Sequence, residues 1–404
     1  MTAQTTAPDV DIKAYCSSLA DAALAASRTI ASTPGAVRAA ALRTVADRLL
    51  AESKRIQSEN AKDLEAGKAA GLSSAMLDRL KLDDAGVKKM AASVRQIAEQ
   101  TDPVGQVIEG AVRPNGIRLQ KVRVPIGVVL IIFESRPNVT CDAAALCIKS
   151  GNAAILRGGK EAVHSNHAIA SCVRDGLREA GVDENAVQLV ETTDRSAVGE
   201  LLKMVGKIDV AIPRGGESLI RAVVEQAHIP VIKHYTGNCH TYVDATCDDQ
   251  MAIDICVNAK TQRTGVCNAT ETILVHEEAA KRGLLKRICE ALDAKECEIR
   301  GDEAVRKAFA GAKQSSDEDW GAEYLDLIVA MKVVKTIDDA VAHINRYGSK
   351  HTDAIITTDI RAADRFVERV DSANVFVNCS TRFSDGGDYG LGAEIGIRTD
   401  KLPA

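Results

Sequence analysis

Pro125-Ile-Gly-Val-Val-Leu-Ile-Ile-Phe133 is an uninterrupted apolar run, rich in β-branched residues and opened by a Pro-Ile-Gly signal. It is short for a helix and has no polar residue on alternate positions, so it predicts a strand buried on both faces. Such strands belong to parallel sheets covered by helices, and the flanking sequence agrees. Ala153-Ala-Ile-Leu156 precedes a helical pattern near 162–178, Val187-Gln-Leu-Val190 one near 195–204, and Ile208-Asp-Val-Ala-Ile212 one near 216–226. Strands and helices alternating over short connections predict a doubly wound sheet. A second alternation starts near Tyr242 and runs to Asn378, with strands expected at 271–275, 328–334, 353–357 and 374–377. Upstream, residues 11–100 carry apolar residues at helical spacing. Between Asp102 and Val124 the pattern turns extended around Pro114-Asn-Gly116, a hairpin signal. The expected class is therefore α/β, with two doubly wound α/β domains and an inserted β-hairpin.

A chain of 404 residues has room for two or three domains. Aromatics are only 3%, so the core is built of Ala, Val, Ile and Leu, as helices on parallel strands require. The net charge of −5 and the lack of a basic tract argue against nucleic acid as a partner. No apolar run reaches the ~18 residues that span a bilayer, so no membrane role is expected. The start, Met1-Thr-Ala-Gln-Thr-Thr, lacks the regions of a signal peptide. Eleven cysteines, an odd number without a Cys-x-x-Cys pair, read as reduced thiols of the cytoplasm. No His, Cys or acidic cluster has metal-ligand spacing, so no metal is expected.

One thiol stands apart. Cys267 lies in Lys260-Thr-Gln-Arg-Thr-Gly-Val-Cys-Asn-Ala-Thr270, where a polar stretch ending near Gly265 meets the strand pattern Glu271-Thr-Ile-Leu-Val-His276. At a loop-to-strand junction beside Lys260 and Arg263 a thiol is reachable and partly ionised, as a nucleophile must be. Cys141 and Cys147 share an apolar helix, and Cys172, Cys256 and Cys289 sit at core-like helical positions. No Gly-x-Gly-x-x-Gly is present. Gly158-Gly159 and Gly215-Gly216 follow strands, where backbone can approach a phosphate, although glycines there are more often plain turns.

Several ordered motifs go further. They are Val124-Pro-Ile-Gly-Val128 leading to Phe133-Glu-Ser-Arg-Pro-Asn-Val-Thr140, Lys149-Ser-Gly-Asn-Ala-Ala-Ile-Leu-Arg-Gly-Gly-Lys-Glu-Ala162, Ile212-Pro-Arg-Gly-Gly-Glu217, Thr261 to Cys267, Tyr347-Gly-Ser-Lys-His-Thr-Asp353, and Asp385-Gly-Gly-Asp-Tyr-Gly-Leu-Gly-Ala-Glu-Ile-Gly396. Together, across nearly the whole chain, they resemble the aldehyde dehydrogenase superfamily and, within it, the glutamate-5-semialdehyde dehydrogenase family. The resemblance implies a cofactor-binding domain at 1–101 and 125–236 and a catalytic domain at 237–380. It also implies an oligomerisation element from 102–124 and 381–404.

The implied activity is NADPH-dependent reduction of L-glutamyl 5-phosphate to L-glutamate 5-semialdehyde and phosphate, through a thioester on Cys267, in proline biosynthesis. Asn138 is then the oxyanion donor, although a gapless count puts Arg136 at that position. Ordinary members activate water with a glutamate ahead of a Leu-Gly-Gly motif. Here the stretch is Lys233-His-Tyr-Thr-Gly-Asn238, with His234 in its place. Losing that carboxylate favours acyl exchange with phosphate over hydrolysis. Arg157 and Lys160 correspond to the lysine and glutamate that hold the adenosine ribose in NAD-using members. Two cations there favour a 2′-phosphate, hence NADP(H). With Gly158, Gly215, Gly216 and Glu323, which matches the nicotinamide-ribose position, they make the implied cofactor set. Arg136, Arg263, Arg382 and His234 are the candidates for substrate. The default for each arginine is a surface charge, and Glu323 reads equally as a surface residue. Cys239 and Cys379 flank motifs that approach the site in this family. His351 is distinctive to it without a role we can derive. A homo-oligomer is expected, with contact to the upstream glutamate kinase. Two alternatives stay open: a related semialdehyde dehydrogenase with another acyl donor, and a cysteine acyltransferase that uses no nucleotide.

Overall fold

In the computed structural model the described residues are 11–233 and 235–390, with Ile395, Gly396 and Thr399. His234, one of the substrate candidates, and most of the 381–404 segment beyond Gly390 lie outside them. The chain divides into two compact units between Ile232 and Lys233.

In the first unit the periodic segments from Ile12 to Glu99 fold as five helices. Asp11, Ser73 and Asp83 cap three of them by accepting backbone N–H groups of the first turn. The extended stretch that follows is an antiparallel hairpin, β1 (Val107–Val112) and β2 (Arg118–Val122), turning at Gly116 with φ of 84°. Its apolar side chains are bare: Val107, Ile108, Val112, Ile117 and Leu119 are all exposed.

Four parallel strands follow: β3 (Val128–Phe133), β4 (Ala153–Arg157), β5 (Val187–Leu189) and β6 (Val210–Arg214), in the order β5-β4-β3-β6. Every residue of β3 is buried, as its unbroken apolar run requires. The strand starts at Val128 rather than Pro125 for a local reason. Pro125 has no N–H to give, and Asn152 Oδ1 takes the N–H groups of Ile126 and Gly127 at 2.6 and 2.9 Å. Helices Asn138–Lys149, Val163–Glu179, Ser196–Leu202 and Glu217–Gln226 connect or flank these strands.

The second unit holds seven parallel strands: β7 (Cys239–Val243), β8 (Thr270–His276), β9 (Glu298–Gly301), β10 (Lys313–Gln314), β11 (Ile328–Val334), β12 (Thr352–Ile356) and β13 (Asn374–Val377). Their order is β10-β9-β11-β8-β7-β12-β13. β9 and β10 carry no strand pattern in the sequence. Glu298 of β9 pairs with Lys313 of β10 and with Arg300 at the sheet edge, while backbone ladders join β9 to β11 and to β10 and Ile299 is buried. Two apolar clusters pack the sheet, one containing Ile273, Val275, Ile288 and Val329, the other Tyr242, Leu274, Ile344 and Phe366. Among the described residues no helix is long and apolar enough to cross a membrane.

Candidate active site

Helix Asp249–Thr261 ends in a loop that carries Arg263 and Cys267 and runs directly into β8. Cys267 is half-buried, while Cys141, Cys147, Cys239, Cys256 and Cys289 are fully buried. Burial pushes Cys147 and Cys289 up to about 12, so those thiols stay protonated and inert. Three neighbours fix the backbone of Cys267. Gly237 lies so close that a Cβ built on it would stand 2.1 Å from Cys267 O, 2.4 Å from its Cα and 2.6 Å from its carbonyl carbon. Only glycine permits that approach. The Cys239 thiol donates to Cys267 O at 3.1 Å, and burial raises its pKa well above the ordinary value, which keeps the donor proton. Asn268 Nδ2 donates to Ser384 O at 3.0 Å and Arg382 O at 3.3 Å, tying the residue after the thiol to the 382–384 segment.

That segment, part of the 381–404 oligomerisation element expected from sequence, is bonded here to the Cys267 loop within the second unit. Thr381 Oγ1 lies 3.2 Å from Thr270 Oγ1, and Ser384 Oγ accepts from Thr352 at 2.8 Å and from Asn374 at 3.1 Å. His351 is fully buried, its Nδ1 2.9 Å from Thr352 Oγ1 and 3.7 Å from Cys239 Sγ. It belongs to the packing around Cys239, whose thiol donates to Cys267 O. Cys379 is half-buried, with its thiol 3.7 Å from Ser380 O.

The charges around the loop differ from expectation in one respect. Lys260 is wholly buried and paired with the equally buried Glu271 of β8, Nζ to Oε2 at 2.5 Å. Its charge is neutralised there and is not available to ionise Cys267. The cationic field falls to Arg263, which is exposed, and Arg382, which is half-buried with Nε 3.1 Å from Gln262 Oε1. Burial pulls the Arg382 pKa down and the nearby Arg263 pulls the same way, while Asp385, Cys267 and Asp388 oppose them. Two guanidinium groups thus share one neighbourhood with the thiol, an arrangement suited to a phosphate or carboxylate. Glu323, half-buried, lies two residues ahead of Leu325, whose N–H reaches Glu271 Oε1 at 3.4 Å.

In the first unit, a shallow, open cleft lies past the C-terminal ends of β4 and β5, lined by Gly158, Gly159, Lys160, Asn166, Glu191 and Thr193 among others. This is where open α/β sheets take ligands. Gly158 is needed there: a Cβ would meet Asn166 Nδ2 at 2.1 Å and the Phe133 ring at 3.1 Å. Arg157 frames the rim, donating to Gly158 O at 2.6 Å and Thr193 O at 3.2 Å, and burial lowers its pKa. Lys160 is exposed at the turn leading into helix Val163–Glu179, and His167 sits 3.3 Å from Glu191. Gly216 uses its N–H differently from the phosphate contact read in the sequence, donating it to Glu134 Oε2 at 3.1 Å. A Cβ on Gly215 would meet the same carboxylate at 2.5 Å. Arg136 is exposed, and Asn138 opens helix Asn138–Lys149 with one amide N–H committed to Asp142 Oδ2 at 2.9 Å.

A half-buried thiol at the start of a parallel strand and a glycine-lined cleft beyond strand ends recur together in one family, and residues 5–319 align with it: the aldehyde dehydrogenases. The chain belongs to the aldehyde dehydrogenase family. It is 54% identical to a gamma-glutamyl phosphate reductase of Geotalea daltonii over 94% of this chain and 91% of that protein. Its fold matches the crystal structure of the gamma-glutamyl phosphate reductase of Thermotoga maritima with a TM-score of 0.93 at 41% identity, covering 96% of this chain and 94% of that one. The Saccharomyces cerevisiae gamma-glutamyl phosphate reductase matches at 32% identity and a TM-score of 0.52, over 96% of this chain and 98% of that one. Membership of the aldehyde dehydrogenase family brings with it a nicotinamide cofactor. Gly158 and Gly159 leave one wall of the cleft free of side chains next to a helix start, where backbone can approach a phosphate such as a dinucleotide carries. Among the described residues no group of three or more His, Cys, Asp or Glu is placed to hold a metal.

Some contributors were invisible in the sequence. Gly237 and Cys239 lie far from Cys267 in the chain, and only the pairing of β7 with β8 brings them together. The Lys260–Glu271 pair bridges a helix end and a strand start. The signal available was a charge near each end of the Cys267 loop, and Lys260 was read as a field on the thiol instead.

Proposed function

We propose that this aldehyde dehydrogenase family member reduces L-glutamyl 5-phosphate to L-glutamate 5-semialdehyde and phosphate in proline biosynthesis, with NADPH as its reductant. The near-full-length identity to gamma-glutamyl phosphate reductases carries this reading, and the thiol with its two arginines supports it. Cys267 is the proposed nucleophile. Its thiolate attacks the acyl carbon, a C–S bond forms, and the C–O bond to phosphorus breaks as phosphate leaves with the electron pair. Arg263 and Arg382 are the proposed partners of the anionic groups of the substrate, with Arg136 and His234 as further candidates. Asn138, whose amide keeps a second N–H beyond the one given to Asp142, is the proposed donor to the oxyanion. A bound nicotinamide supplies the hydride that takes the acyl carbon to the aldehyde level. The sulfur of Cys267 then leaves with its electron pair, and the thiolate is restored.

For the cofactor, Gly158, Arg157 and Lys160 are proposed to hold the adenosine end, with Gly215 and Gly216 nearby in the sheet order and Glu323 on the nicotinamide ribose. Arg157 and Lys160 at the cleft favour a 2′-phosphate and hence NADP(H) over NAD(H). The hairpin, with its bare apolar side chains, is the proposed contact between copies of this chain. A contact with the kinase that forms the labile acyl phosphate belongs to the same reading. Eleven cysteines, none of them in a disulfide among the described residues, fit a reducing cytoplasm. The deciding experiment is the reverse reaction, oxidation of glutamate 5-semialdehyde by NADP⁺, run with and without phosphate or arsenate and repeated with Cys267→Ala. Strict dependence on the anion and loss of turnover in the variant are expected. Equal rates without the anion point to water or another acyl acceptor, and an active Cys267→Ala protein removes the thiol mechanism.

A further inference from the structure

Lys260 and Glu271 occupy the two ends of the loop that carries Arg263 and Cys267: one closes helix Asp249–Thr261, the other opens β8. Both side chains are fully buried. Taking two charges out of water is costly, and an apolar pair of similar volume generally holds a core at least as well. The location of the pair points to what the charges do that methyl groups would not. Glu271 gives its second oxygen to Leu325 N–H at 3.4 Å, and Lys260 Nζ stands 5.8 Å from the centre of the Tyr324 ring. Leu325 has φ of 54°, a left-handed backbone that a leucine avoids unless its surroundings impose it. Tyr324 is fixed at its other end, its hydroxyl donating to Asp319 Oδ1 at 2.7 Å, where Arg300 also binds at 2.8 Å. One ion pair therefore grips both ends of the nucleophile loop and the segment that follows Glu323.

We propose that the Lys260–Glu271 pair is a positioning device that holds the Cys267 loop and the Glu323 segment in one register, so that the thiol and the dinucleotide ribose stay aligned. The proposal rests on the roles given above to Cys267 and Glu323. Removing one charge leaves the other buried without its partner, so single variants mix instability with misplacement. Lys260→Met with Glu271→Leu removes both charges and keeps the volume.

The double variant is expected to melt within a few degrees of wild type. It is also expected to bind NADPH about ten-fold more weakly by fluorescence titration and to show a raised KM for NADP⁺ in the reverse reaction. The alkylation rate of Cys267 by iodoacetamide should change less than three-fold without cofactor, and NADP⁺ should no longer alter it. A double variant with wild-type NADPH affinity and KM overturns the proposal and leaves the pair a purely structural feature. If the double variant does not fold, Glu271→Gln is titrated at a temperature where its melting curve shows it fully folded, since the amide still accepts from one donor but carries no charge. An approximately three-fold weaker NADPH affinity is then expected, and an unchanged affinity overturns the proposal. Cys267→Ser run in parallel separates the two ideas: an active serine variant defeats the assigned nucleophile, whatever the pair does.

Discussion

Gly237→Ala tests the closest backbone contact of the site. The added methyl would lie 2.4 Å from Cys267 Cα and 2.1 Å from its carbonyl oxygen, so ordinary contact at 3.4 Å requires a separation about 1 Å larger. Gly237 has little freedom to retreat. Its carbonyl accepts from Cys239 N–H at 2.9 Å, and Asn238 Nδ2 is bonded to Trp320 O at 2.8 Å and Tyr347 O at 2.9 Å. The Cys267 loop must move instead. A reacting group displaced by about 1 Å loses on the order of 100-fold in rate, which is about 2.7 kcal/mol of transition-state stabilisation. Overpacking itself costs ~1–3 kcal/mol of stability. The assay is kcat/KM in the phosphate-dependent reverse reaction, with thermal melting of the same preparation. Gly265→Ala is the control, because a Cβ there meets nothing within 4 Å. It should stay within about three-fold of wild type, as a surface substitution without a special role does. If Gly237→Ala also stays within that range while folding normally, the loop is not held where the contact says it is.

Lys160→Glu reverses a charge at the mouth of the nucleotide cleft. NADPH affinity should fall about ten-fold or more while NADH affinity holds or rises, read by titration with both; equal losses for the two would exclude a 2′-phosphate contact. His343 is pushed down to about 3 by burial, with His240, Lys332 and Arg346 acting in the same direction. Its contribution is complete above the ordinary value near 6.5 and is lost as pH falls from there toward 3, because the unfolded chain takes the proton first. Stability should drop through that window by about 1.4 kcal/mol per pH unit from this residue alone. His343→Gln should flatten the profile in urea unfolding, and an unchanged slope would mean the imidazole is protonated in the fold. Ile108→Asp with Val112→Asp places two charges on the exposed hairpin. Sedimentation should show smaller particles than wild type if the hairpin joins copies of the chain, and an unchanged assembly would move the interface elsewhere.

What the sequence disclosed and what it withheld divide along chain separation. β3 was legible because six consecutive residues, Val128 to Phe133, are apolar on both faces, a pattern set by the strand itself. The position of Cys267 at a loop-to-strand junction was legible for the same reason: loop composition on one side and strand periodicity on the other are both local. Lys260 was misread because its partner is not local in the structural sense. Glu271 stands close in the chain, but the helix end and strand start had to be folded before they could meet as an ion pair. Gly216 shows the reverse case. A glycine after a strand was correctly placed, yet its N–H goes to Glu134, a residue just past the end of the adjacent strand β3.

The two units also use their parallel sheets from opposite ends, which explains why their site residues carry different sequence signatures. In the first, Gly158, Gly159 and Lys160 follow the C-terminal end of β4, where strand carbonyl ends give way to helix N–H groups that favour anions. Such sites need glycines, and glycines after strands are easy to see. In the second, Cys267 precedes β8, Cys239 opens β7, Thr352 opens β12 and Asn374 opens β13, all at the N-terminal edge. No row of helix N–H groups is built into that edge by the strand-to-helix turns. Charge near the thiol there comes from side chains, with Arg263 and Arg382 the proposed suppliers, and its geometry from contacts such as Gly237 against Cys267. Side-chain and backbone contacts of that kind leave no periodic trace, so the thiol was legible while the frame around it was not.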